Sequence, residues 1–185
     1  MTLREITLAI KPTIYKLRIA LSDLERHYYD SLSLTIALHP SETHERMVAR
    51  ILAFCLNAQP DLSFTKGLSA IEEPDLWVKS LDQQINLWID VGEPSLDRIK
   101  KASRQSKEAM VYSFNSKSDV WWEQLKNKIN FDNVAVNCFD YSQIQTLATH
   151  IERTSDWSVT ITGQSAYIAT SKGEVDVSWD VLLSA

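Results

Sequence analysis

Three carboxylates, Glu45, Asp75 and Asp90, are spaced so that they could share a divalent cation. Carboxylate oxygens are the ligands Mg²⁺ and Mn²⁺ prefer, and a metal held this way polarises a phosphoryl group or activates a water. Asp75 and Asp90 sit within a stretch of strand-like alternation. Leu76 and Val78 alternate with Trp77 and Lys79, and Ile85, Leu87, Ile89 and Val91 alternate with Asn86, Trp88 and Asp90. A hairpin over 74–92, closed by a loop at Leu81–Gln84, sets Ser80 opposite Ile85, Val78 opposite Leu87 and Leu76 opposite Ile89. On its other face Trp77 meets Trp88 and Asp75 meets Asp90. Two like charges directly opposite repel, so one takes a proton or a cation lies between them. On spacing alone, a solvated strand end that tolerates both charges is an equal alternative.

The element that must present Glu45 is a helix. His39-Pro40 stops the preceding strand, Ser41 can cap, and Met47, Val48, Ile51, Leu52 and Cys55 form one apolar face running toward Ala58. Glu45 falls at the edge of that face, on the side of Val48 and Leu52. Glu42 falls outside it, with Arg46 as its i,i+4 partner, and reads as a solvated acid at the helix start. His44 lies in the apolar stripe and reads as a satisfied core histidine. No second histidine follows His44-Glu45 at the spacing of the H-E-x-x-H metalloprotease pattern.

A second helix, from Pro94 to about Lys107, has Leu96, Ile99 and Ala102 on its apolar side. From Ser95 to Glu108 its cations Arg98, Lys100, Lys101, Arg104 and Lys107 outweigh Asp97 and Glu108. The preceding segment, 71–94, is acidic, with Lys79 as its one cation. An acidic hairpin beside a basic helix suits a metal-plus-phosphate site, and equally suits two solvated elements of complementary charge. The Arg98–Lys107 stretch is the candidate nucleic-acid contact. Of the adjacent Trp121 and Trp122, one is expected in the core and one flanking the sheet.

The remaining chain sets the frame. At 185 residues, 44% hydrophobic and 23% charged, it has the size and composition of one globular domain, taken here as 1–185. Alternation predicts an N-terminal hairpin from strands at 13–21 and 32–38. Later strands are expected at 109–114, 134–139, 159–162, 167–170 and 175–179, and helices at 118–129 and 142–153. Strands alternating with helices after residue 85 give an α/β fold: a mixed β-sheet flanked by helices, with a parallel part. The net charge of −5 argues against indiscriminate nucleic-acid binding but allows a local basic patch. No apolar run is long enough to cross a bilayer, and Met1 to Lys11 does not read as a signal peptide. Cys55 and Cys138 each sit in an apolar run and are expected as buried free thiols, which points to a reducing, cytoplasmic setting without membrane partners.

The order of these features resembles the core of the PD-(D/E)xK nuclease superfamily. Pro74-Asp75 stands for its PD, Asp90 for its second acid and Glu45 for its first-helix glutamate. The resemblance to the YaeQ family is closer. It is carried by His39-Pro-Ser-Glu-Thr-His-Glu-Arg-Met47, Phe64-Thr-Lys-Gly-Leu68, Glu73-Pro-Asp-Leu-Trp77, Leu87-Trp-Ile-Asp-Val-Gly92 and Arg98-Ile-Lys-Lys-Ala102, and it extends from the Lys11 region to about Trp179. That family is bacterial and cytoplasmic and is regarded as a variant of the nuclease fold. The resemblance implies a PD-(D/E)xK nuclease-like core with an N-terminal hairpin. It implies Mg²⁺ or Mn²⁺ held by Glu45, Asp75 and Asp90, and phosphodiester hydrolysis on nucleic acid. One departure stands out: the superfamily's lysine position is Gly92, so the lysine role passes to the following helix, to Lys101 or its neighbour Lys100. The alternatives are a non-catalytic nucleic-acid- or protein-binding module that retains the nuclease fold, and a fold remnant acting as an interaction protein.

Overall fold

One-sided alternation builds the first pair of strands. Tyr15, Leu17, Ile19 and Leu21 point inward from β1 (Thr13–Asp23), while Lys16, Arg18 and Ala20 face out. β2 (Tyr28–Leu38) pairs with it antiparallel along its whole length, giving the expected N-terminal hairpin. The computed structural model describes residues 11–185. The reading of Met1 to Lys11 as not a signal peptide falls, with that end of the 1–185 domain, on residues 1–10, which lie outside the described residues.

After the hairpin come α1 (His44–Leu56), β3 (Ser63–Phe64), β4 (Leu76–Lys79), β5 (Ile85–Val91), α2 (Leu96–Gln105) and β6 (Ser106–Ser113). They are followed by α3 (Ser118–Leu125), β7 (Val134–Phe139), α4 (Tyr141–Ala148), β8 (Thr154–Thr162), β9 (Ser165–Thr170) and β10 (Gly173–Leu183). Among the described residues the strands form one ten-stranded mixed sheet in the order β2-β1-β8-β9-β10-β7-β6-β5-β4-β3. β5, β6 and β7 are its parallel part, and β1 also runs parallel to β8.

Helices cover the sheet on separate fronts. α1 and α4 pack on each other and on a large core that includes Leu17, Ile36, Ile51, Leu76, Ile89 and Val159. α2 buries Ile99 and Ala102 in a second cluster with Trp88, Val111, Val134 and Val136. β5 is therefore covered on both faces, which is why Trp88 and Asp90, on the side expected to be the polar one, are as buried as Leu87 and Ile89. Trp121 and Trp122 are both half-buried against this second cluster, so neither is the core tryptophan expected. Trp121 Nε1 donates to the Pro94 carbonyl at 2.9 Å.

β3 is a strand that the alternation does not announce, and the other secondary-structure differences from expectation lie at element ends. α1 is capped by Thr43, whose hydroxyl accepts from Arg46 N at 3.2 Å, while Ser41 hydrogen-bonds the His39 ring nitrogen instead. β8 begins at Thr154, earlier than the expected 159, because the inward alternation extends back through Trp157 to the buried Ser155 while Asp156 and Ser158 face outward. α3 ends at Leu125 and α4 at Ala148, each before the expected end. Cys55 is buried as expected, but Cys138 is only half-buried. Among the described residues no helix is long and apolar enough to cross a membrane.

Candidate functional site at the Asp75–Asp90 strand ends

The hairpin sets the site. Leu76 pairs with Ile89, Trp77 with Trp88 and Val78 with Leu87, in the register that apolar matching requires. Asp75 N continues the ladder by donating to Ile89 O at 2.9 Å, which brings Asp75 alongside Asp90 at the strand end. At the other end the register shifts: Lys79 pairs with Ile85, leaving Asn86 as the extra residue, and Ser80 N closes the loop onto Gln84 O. The expected Ser80–Ile85 pair therefore does not form.

Asp75 and Asp90 are each only 3% exposed and line one side of an open cleft of about 340 Å³. Both are taken up by arginines. Arg46, reaching from α1, donates to Asp75 Oδ1 at 2.6 Å, and Val91 N donates to Asp75 Oδ2 at 2.7 Å. Arg98, reaching from α2, forks onto Asp90 through Nη2 to Oδ1 at 2.7 Å and Nε to Oδ2 at 2.9 Å. Trp88 Nε1 completes the set at 3.0 Å from Asp90 Oδ2. Burial is the main cause pushing the Asp90 carboxyl above the ordinary range. The charge of Asp75 adds to it, and Arg98 and Trp88 pull the other way.

The network continues inward. Glu42 accepts from Arg46 Nη1 at 3.0 Å and from Arg50 Nε and Nη2 at 2.7 and 2.8 Å. Its side chain is 2% exposed, which corrects the reading of Glu42 as a solvated acid. The cause is the cap. With Thr43 at the N-cap, Glu42 lies before the helix, where its carboxylate turns under α1 toward Arg50. Arg98 is anchored a second time by the Ile71 and Glu73 carbonyls, at 2.6 and 2.7 Å. Glu93 closes the far wall, accepting from Phe114 N, Asn115 N and the Ser118 hydroxyl at 3.2, 3.0 and 2.7 Å.

The sequence profile of the YaeQ protein family matches residues 8–179. The chain belongs to the YaeQ family. It is 37% identical over 173 residues to YaeQ of Escherichia coli (strain K12), covering 92% of this chain and 96% of that protein. YaeQ of Salmonella typhi is 36% identical over 172 residues, covering 92% and 95%. Crystal structures of YaeQ proteins have the same fold. That from Xanthomonas axonopodis pv. citri superposes with a TM-score of 0.92 at 34% identity, covering 94% of this chain and 99% of that one. That from Pseudomonas syringae gives 0.90 at 35%, covering 94% and 97%.

The residues expected to form one site separate in space. Asp75 and Asp90 come together. Glu45 is half-buried in the first turn of α1 but is not among the residues lining the cleft; the α1-side carboxylate linked to Asp75, through Arg46, is Glu42. Lys101 pairs with the exposed Glu72, also away from the cleft lining, and Lys100 is exposed. The cation of α2 that enters the cleft is Arg98, one turn earlier. Gly92 lines the cleft with φ +122°, and the space where a side chain would begin is open. His44 is exposed, not core, and its ring nitrogen meets Tyr15 OH at 3.0 Å.

These side chains do not fit a divalent cation as they stand. Each oxygen of Asp75 and Asp90 already accepts from a protein donor. Among the described residues no three His, Cys, Asp or Glu side chains converge on one point. Glu42 and Arg46 form the expected i,i+4 pair but in a buried network, Arg98 turns into the cleft and not toward a nucleic-acid surface, and Arg50 carried no expectation. One signal was available for Arg50: a permanent charge inside the run Met47–Cys55 must find a buried partner.

Proposed function

We propose that this chain is a PD-(D/E)xK-type nuclease core that binds nucleic acid without cleaving it, through exposed cations on α2 and at the start of β6. The order α1, antiparallel β3–β4–β5, α2, then β6 parallel to β5 supports the nuclease-core part of this reading.

The observation that carries the binding part is the charge left over after pairing. Lys100, Arg104 and Lys107 are exposed, and among the described residues none has an acidic partner within ion-pair distance. Arg104 and Lys107 border a shallow groove of about 400 Å³ against the hairpin tip, whose other walls are Gln83, Gln84, Ile85, Gln105 and Ser106. No carboxylate lines it. Cations without a direct ion pair release counterions on meeting phosphates, and glutamines supply uncharged donors and acceptors beside them.

Fluorescence anisotropy with single-stranded and duplex DNA and RNA at low salt tests the reading. Binding is expected without cleavage in Mg²⁺ or Mn²⁺, with a salt slope of about −2 for three phosphate contacts on a single strand. Charge reversal at Lys100, Arg104 and Lys107 should abolish it. Binding that survives the reversal places the contact elsewhere, and no binding to any probe refutes the proposal.

The hydrolytic reading has Mg²⁺ or Mn²⁺ held by Glu45, Asp75 and Asp90, with Lys101 assisting. One observation favours it: the two aspartates lie side by side on an open cleft. It requires Arg46 and Arg98 to leave and Glu45 and Lys101 to enter. Cleavage by purified protein that is lost in Asp90→Ala would establish it.

A further inference from the structure

We infer that Arg46 and Arg98 take the place of the divalent cation between Asp75 and Asp90, so that the carboxylate site of this chain is an arginine clasp joining α1, the β4–β5 hairpin and α2. The inference concerns the metal site and is independent of the nucleic-acid reading.

Charge balance is the first argument. Asp75 is matched by Arg46 and Asp90 by Arg98, and Glu42 is shared by Arg46 and Arg50, while Glu93 on the far wall accepts from neutral donors. An arginine cannot lose its proton in this setting, so the positive charge is permanent. A divalent cation between the two aspartates would have to sit against two permanent guanidinium charges already on their oxygens.

Geometry is the second argument. The Nε/Nη2 fork of Arg98 matches the two oxygens of Asp90, the bidentate arrangement in which arginine is preferred to a point charge. Neither guanidinium is loosely placed. Arg98 is also held by two backbone carbonyls and Arg46 by Glu42, so moving either one breaks several hydrogen bonds. Mg²⁺ keeps several waters and demands near-octahedral geometry, whereas these oxygens face nitrogen donors at 2.6–3.0 Å.

Two measurements on the full chain test the inference. The first is a Mn²⁺ titration followed by electron paramagnetic resonance. Wild type is expected to leave the free-ion signal undiminished at millimolar Mn²⁺. Stoichiometric uptake that Asp75→Asn or Asp90→Asn abolishes overturns the inference; uptake that both variants retain belongs to another site and leaves the clasp standing. The second is nitrogen-detected NMR of the arginine Nε–H groups. Arg98 should show a resolved, exchange-protected signal that moves in Asp90→Asn and not on adding Mg²⁺. A signal that ignores Asp90→Asn, or that is lost on adding Mg²⁺, overturns the inference.

Discussion

Arg98→Met separates charge from packing at the clasp. The methionine keeps an unbranched apolar stem near the Trp88 ring, over which the guanidinium lies at 5.7 Å, and removes the fork on Asp90. Stripping one partner from a buried pair costs about 3–5 kcal/mol, because the other charge stays out of water. The Asp90 side chain is 5% exposed but that of Arg98 is 27% exposed, so the lower end, about 3 kcal/mol, is expected. For a chain of this size that is a fall in Tm of roughly 6–12 °C.

The pH dependence identifies the cause. Burial already raises the Asp90 carboxyl, and Arg98 is the first of the groups pulling it down. Without Arg98 the folded state binds a proton on Asp90 at a pH where the unfolded chain has released it. Stability then falls as pH rises from the ordinary carboxylate pKa up to the raised folded value, by at most about 1.4 kcal/mol per pH unit. Asp90→Asn in the same background should remove that slope and recover part of the loss. Thermal unfolding by circular dichroism, followed from acid to mildly alkaline pH, reads both effects. A Tm within about 2 °C of wild type at neutral pH, or a loss that does not grow between acid and neutral pH, would refute the reasoning.

Glu42→Gln should cost about 3–5 kcal/mol in urea unfolding, since it leaves Arg46 and Arg50 short of their shared carboxylate, whereas Glu45→Gln should stay within about 0.5 kcal/mol. Equal effects would mean that the buried role is misassigned. Gly92→Lys, which puts a lysine where the proposed nuclease-core reading looks for one, should lower stability by about 1–3 kcal/mol although the space is open, because φ +122° strains any side chain. An unchanged Tm would show that the backbone relaxes freely. Burial pushes the Cys55 thiol up to about 12, so a thiol reagent at neutral pH should modify Cys138 in the folded protein and Cys55 only after unfolding. Mass spectrometry of the two peptides decides this.

The hairpin register was legible because apolar pairs fixed one face and tryptophans and aspartates the other, and a slip of two residues loses those matches. The bulge at Asn86 was not, since nothing in the alternation marks an extra residue in one strand. Strands that face solvent on one side announce themselves only through their inward half. In β8 the inward half is Ser155, Trp157, Val159 and Ile161, so its polar first inward residue hides the start of the strand. The aspartates of the site could be placed because they sit on the backbone that pairs. The arginines could not, because a guanidinium acts at the end of a long stem. Arg98 and Lys101 lie on neighbouring stretches of the same helix, and only the three-dimensional path of 71–73 decides that Arg98 turns in while Lys101 meets Glu72. Glu42 was misplaced by a cap two residues later than Ser41, enough to move a carboxylate from the helix into the loop beneath it.

The clasp and the basic face are linked through a single helix. Arg98 enters the cleft beside Ile99 and Ala102, which pack on the sheet, so its inward fork fixes the rotation of α2 about its axis. Lys100 and Arg104, four residues apart, then share one outward row, with Lys107 just beyond the helix end. Losing Arg98 should therefore weaken nucleic-acid binding indirectly, by loosening the helix that carries the cations, while leaving those cations in place. Affinity and salt dependence separate the two contributions. In Arg98→Met the affinity at low salt should fall while the slope of log K against log salt stays at its wild-type value, because the number of phosphates neutralised is unchanged. A slope reduced by about one unit would instead make Arg98 itself a phosphate contact, which its engagement with Asp90 does not allow.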